Sequence, residues 1–136
     1  IQKNASYCIE AGTDGLSVIN TISGMAIDIQ SQSPVLGNSV GGLSGPAIKP
    51  IALLKVREVY EVAKKHGVPI MGQGGISNTS DAIEFILAGS STIGVGTALF
   101  FDPLVCEKIN LGINKYLEDH RLPSVASLVG LLKENN

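Results

Sequence analysis

The residues best suited to chemistry are Asn20 and Thr21, which follow a short apolar run. A primary amide offers two donors and an acceptor, and the adjoining hydroxyl adds one of each, a set that suits the edge of a planar imide or a carboxylate. No turn demands either residue, although an Asn capping its own loop backbone is an alternative. Gly74-Gly75 and Gly96-Thr97 also follow apolar runs. Glycine there lets backbone N–H groups approach an anion without a Cβ in the way, and a following helix start adds a favourable dipole. Either pair alone is a weak signal, better explained as a tight turn. Together, at successive strand ends, they suggest a phosphate site. Ser44-Gly45-Pro46 is either a turn before a helix or a place where backbone touches a flat ligand. His66 and His120 lie far from every strand end and are read as surface residues, and Asp28 is read as structural. No paired carboxylates, Ser-His-Asp set or activated Cys stands at a strand end, so the chain carries a binding half-site without an evident general base.

The elements that would position these groups alternate. Ile1, Ala5, Cys8 and Ile9 recur at helical spacing and Gly12 follows, predicting an amphipathic helix that starts without a cap, as if in mid-element. Residues 15–20 read as a buried parallel strand, and residues 25–40 as a β-hairpin-like excursion. Residues 51–65 form a helix with Leu53, Val56, Val59, Tyr60 and Ala63 on one face, bounded by Pro50 and Gly67. A strand over 68–72 and a loop precede Asn78-Thr-Ser-Asp81, a capping signature for a helix through Leu87. A third strand spans 91–95, Asp102-Pro103 opens a helix to about Glu118, and a last short helix is expected over 124–132. This order predicts an α/β fold with a parallel sheet. Three strands cannot close, whereas a (β/α)8 barrel typically takes about 250 residues. The chain therefore reads as one partial barrel domain, residues 1–136, or as a small open α/β domain.

Composition narrows the partners. The 136 residues are 44% hydrophobic and 16% charged, with 10 Lys+Arg against 12 Asp+Glu and no basic run. That leaves no electrostatic footprint for nucleic acid or an anionic membrane, and points to a small molecule or another protein. Cys8 and Cys106 are isolated, with neither metal nor redox spacing, and are expected to be buried thiols in a reducing compartment. No run is long enough to span a bilayer and no signal-peptide pattern is present, so a cytoplasmic protein is expected.

Four strings then carry a resemblance: residues 19–29 (Ile-Asn-Thr-Ile-Ser-Gly-Met-Ala-Ile-Asp-Ile), 40–50 (Val-Gly-Gly-Leu-Ser-Gly-Pro-Ala-Ile-Lys-Pro), 72–77 (Gly-Gln-Gly-Gly-Ile-Ser) and 95–98 (Val-Gly-Thr-Ala). In this order, and over nearly the whole chain, they resemble the C-terminal half of dihydroorotate dehydrogenases, most closely the class 1B catalytic subunit. The glycine elements occur in many flavin- and phosphate-binding barrels; the first two strings are more specific. The resemblance implies the C-terminal half of a (β/α)8 TIM barrel, with a β-hairpin-like insertion after the first strand, and FMN-dependent oxidation of dihydroorotate to orotate in pyrimidine biosynthesis. It also implies that Ile19 and Gly45 contact FMN, that Asn20 and Thr21 hold the orotate ring, and that Gly74, Gly75, Gly96 and Thr97 cradle the FMN phosphate. The family's base, a cysteine on an earlier loop, would lie in an N-terminal half outside this chain, so these residues alone should be inactive. The implied partners are that half, a second copy, and an iron–sulfur and FAD subunit that feeds NAD. Another phosphate- or flavin-binding barrel, or a non-catalytic half-barrel binding module, is the alternative.

Overall fold

In the computed structural model, which describes residues 1–133, the chain is a parallel three-stranded sheet backed on one face by helices. Helix α1 (Gln2–Glu10) leads to β1 (Leu16–Val18). An excursion follows, built from β2 (Ile22–Gly24), β3 (Ile27–Asp28), β4 (Ser33–Pro34) and β5 (Gly41–Leu43). Then come α2 (Lys49–Ala63), β6 (Ile70–Gln73), α3 (Thr79–Ala88), β7 (Thr92–Gly94) and α4 (Val105–Asp119). The sheet order is β1-β6-β7, with Leu16 opposite Ile70 and Met71 opposite Thr92, all pairs parallel.

The helical stripes explain the packing. Ala52, Val56, Val59 and Ala63 are buried at spacings of three and four along α2, and Val105, Ile109 and Ile113 do the same on α4. Helix α3 lies between them and buries most of its surface, including Phe85 and Ile86. Strand alternation sends Val18 and Ile70 into this layer and leaves Ser17, Met71 and Thr92 exposed on the opposite face. Glycine at 72 sets the depth of packing, since a Cβ there would stand 2.8 Å from the Phe85 ring. Among the described residues no helix is long and apolar enough to cross a membrane.

Several expectations need correction. The excursion is wider than residues 25–40: β2 pairs antiparallel with β5 as well as β3 with β4, so the glycine-rich residues 41–43 belong to it as a strand. The reason is close approach, because a Cβ on Gly42 would collide with the Thr21 side chain. The last helix is only a 3-10 turn, Val125–Ser127. Gly130 adopts φ +74° and its N–H donates to Ile86 O, tying the segment to the end of α3 instead of continuing a helix. Asp102 and Pro103 precede α4 rather than open it, although the Asp102 carboxylate does accept the Leu104 N–H at 3.1 Å. Cys8 and Cys106 are both exposed. Only Ala5 is fully buried on α1, and Cys106 stands one position off the buried stripe of α4.

Candidate functional site

The carboxyl ends of the three parallel strands converge on one cleft. The Ile19 N–H donates to Gln73 O at 3.0 Å, prolonging the β1-β6 ladder by a residue before the chain turns away. The peptide joining Val18 to Ile19 is cis. Asn20 then bends over itself, its Oδ1 accepting the Thr21 N–H at 2.9 Å. The self-capping alternative is thus partly realised, yet the Asn20 Nδ2 and the Thr21 hydroxyl bond to no group among the described residues. Both are exposed at the mouth of the sheet.

Opposite them, the loops after β5 and β6 touch. Gly45 is buried with φ +87°, and a Cβ on Gly75, itself at φ +78°, would come 2.5 Å from Gly45 O. Gly74, at φ +136°, packs against α2, where its Cβ would meet that of Ala52 at 2.6 Å. Only glycine allows these two loops this approach. The third loop is tied in by Thr97, whose hydroxyl donates to Ser44 Oγ at 2.9 Å. The N–H groups of Gly75, Ile76, Gly96 and Thr97 donate to no acceptor among the described residues. A Cβ on Gly96 would meet no protein atom within 4 Å, so this backbone stands bare.

Ile19, Asn20, Thr21, Gly45, Gly74, Gly75, Gly96 and Thr97, the eight residues singled out in the sequence, all line one cleft of about 270 Å³. A second cleft of about 210 Å³ shares Gly45, Gly75, Gly96 and Thr97 and continues past Ser77 to Phe101 and Asp102. The first end carries the amide and hydroxyl side chains, and the shared end carries unspent backbone donors, the chemistry that suits a phosphate. The residues present therefore fit a ligand that carries a phosphate group, as a phosphorylated flavin does. His66 and His120 are exposed and outside both clefts, as expected.

Three side-chain contributions were not foreseen in the sequence. Gln73 lines the floor, its Nε2 donating to Ser17 Oγ at 3.0 Å; strand alternation from Ser17 and Met71 would have placed it. Ser44, read in the sequence only for its backbone, has its hydroxyl set by the bond from Thr97. The third is an ion pair, with Lys49 Nζ donating to Asp81 Oδ1 at 2.6 Å. Burial works against a charged Asp81, but the Lys49 ammonium and the Ser77 N–H and hydroxyl outweigh it and hold the carboxyl below its ordinary value. The hydrogen bonds to Asp81 and Glu84 in turn raise Lys49. At the far rim, Lys108 holds the Asp102 carboxyl below its usual range.

A parallel sheet bare on one face, with a cleft at the carboxyl ends of its strands, is the arrangement of part of a (β/α)8 barrel. The chain belongs to the dihydroorotate dehydrogenase family, whose model matches residues 1–117. It is 52% identical over 129 residues to the dihydroorotate dehydrogenase B (NAD(+)) catalytic subunit of Citrifermentans bemidjiense, covering 95% of this chain and 41% of that protein. The Desulforamulus reducens protein of the same name is 53% identical over 120 residues, covering 88% of this chain and 38% of its own length. Among solved structures, the dihydroorotate dehydrogenase of Eimeria tenella in complex with ferulenol matches with a TM-score of 0.77 at 28% identity, over 96% of this chain and 34% of that one. Its ligand-free form gives a TM-score of 0.76 at 29% identity, over 96% and 35%. The chain thus spans about two fifths of the length of the curated relatives it matches.

Proposed function

We propose that the complete protein carrying these residues oxidises dihydroorotate to orotate with bound FMN, and that this chain supplies the pyrimidine and FMN-phosphate contacts. The observation that carries the reading is the meeting of the Asn20-Thr21 side chains with two glycine loops whose N–H groups are unspent, all around one cleft. Asn20 Nδ2 and the Thr21 hydroxyl hold the planar edge of the pyrimidine. The N–H groups of Gly75, Ile76, Gly96 and Thr97 hold the phosphate, while Ile19 and Gly45 offer an apolar, side-chain-poor surface to the flavin ring. When bound, FMN would supply the two-electron acceptor for the oxidation that makes the C5–C6 double bond of orotate, and a base would receive the C5 proton. No side chain of this chain is assigned as that base; the remaining βα units of the barrel, a domain completed outside residues 1–136, provide it.

The names of the curated relatives, catalytic subunits of an NAD(+) enzyme, support a further partner. In this reading that partner is an iron–sulfur and FAD subunit that passes electrons to NAD, and the catalytic subunits form a homodimer in the cytoplasm. If Asn20 holds the pyrimidine, Asn20→Ala in the complete enzyme weakens orotate binding by about 1–3 kcal/mol, the cost of leaving the ligand's polar groups unpaired in a closed site. Orotate titration of wild type and variant reads this directly. Equal affinities would remove Asn20 from the substrate site.

A further inference from the structure

The two loops that touch at Gly45 and Gly75 are also fastened through one carboxylate. Lys49, at the start of α2, follows the Gly45-Pro46 turn, and its ammonium donates to Asp81 Oδ1 at 2.6 Å. The other oxygen of Asp81 accepts the Ser77 N–H at 2.9 Å and the Ser77 hydroxyl at 2.8 Å. Ser77 closes the loop that begins at Gly74 and lines the donor-rich end of the cleft. Asp81 lies in the first turn of α3, with its side chain only 8% exposed. One buried carboxylate thus joins the β6-α3 loop, the start of α3 and the start of α2.

That arrangement places a negative charge beside the backbone donors that would hold a phosphate, and an uncompensated carboxylate in a poorly solvated site repels an anion strongly. The Lys49 ammonium is the cation in direct contact with it. Glu84, the other acidic group facing Lys49 at 2.9 Å, is 44% exposed, so solvent screens most of its charge. We infer that Lys49 is a positioning residue for anion recognition: by neutralising Asp81 and clamping it to α2, it lets the Gly75-Ile76 loop accept a phosphate group. This rests on the reading of the cleft as the FMN-phosphate site. Lys49 touches neither ring nor phosphate in this account and acts through Asp81 and Ser77.

The test compares FMN with riboflavin, which lacks the phosphate, on the apo form of the complete gene product. Lys49→Met is expected to weaken FMN binding about tenfold or more while leaving riboflavin affinity unchanged. Lys49→Arg should restore the FMN preference. Lys49→Met combined with Asp81→Asn, which removes both charges, should recover most of it, and this pair decides the matter if the single variant does not fold. Equal losses for both ligands, or an unchanged preference, would overturn the inference and leave the ion pair a purely structural clamp. A double variant that stays as poor as Lys49→Met would overturn the charge argument. A wild-type protein that binds riboflavin as tightly as FMN would instead sink the phosphate reading of the cleft, a failure that is visible before any variant is made.

Discussion

Gly75 concentrates the residue-scale argument. Its backbone sits at φ +78° and its missing Cβ leaves room for Gly45 O, 2.5 Å from where that atom would stand. Gly75→Val both forces a β-branched residue into the left-handed region, at about 1–3 kcal/mol, and drives apart the two loops that form the donor-rich end of the cleft. The expected outcome is a complete enzyme purified without FMN, read as the ratio of flavin to protein absorbance; normal flavin content would remove Gly75 from the cofactor site. Such glycines were legible in the sequence because they recur at successive strand ends, and Asn20-Thr21 because no turn requires them. Gln73 and Ser44 were not, since their roles come from partners 56 and 53 residues away. The cysteines were misjudged for a related reason: free thiols are usually buried, but here the helix faces that carry them look outward.

At the scale of elements, α3 was the most legible, and its start is also where structure and site meet. Asn78 Oδ1 accepts the Asp81 N–H at 3.0 Å, as the capping signature predicted, while the Asp81 side chain reaches back to Ser77 and Lys49. The sequence showed the cap but not the ion pair, because Lys49 is 32 residues away on another helix. Because the Asp81 carboxyl is held below its ordinary value in the fold, its contribution is present above the unfolded value, about 3.9, and disappears as pH falls through the folded value. Wild-type stability should therefore decline on the acid side below about pH 4. Asp81→Asn should cost about 1–3 kcal/mol at neutral pH and show a flatter acid limb. Denaturant melts over this range check both, and identical limbs would mean that Asp81 is not stabilised as an anion. The excursion and the C-terminal turn were read less well. Both depend on tertiary contacts, Gly42 over Thr21 and Gly130 against α3, that no local pattern encodes.

On the scale of the whole molecule, strand spacing revealed a parallel α/β sheet, and the strand count showed that it could not close. Both features are seen in the order β1-β6-β7 with one helical face. The opposite face, with Ser17, Met71 and Thr92, lies exposed, as do Phe100 and Phe101 at 90% and 84%. In a (β/α)8 barrel the sheet curls until that inner face is filled by side chains from all the strands, which agrees with a chain spanning 41% of a curated relative. The catalytic account therefore has to be tested on the complete protein. The most direct measurement is its absorbance spectrum without oxygen, before and after adding dihydroorotate. The account predicts an oxidised flavin band that bleaches on addition of the substrate; a colourless protein, or a yellow one that dihydroorotate leaves unbleached, would contradict it.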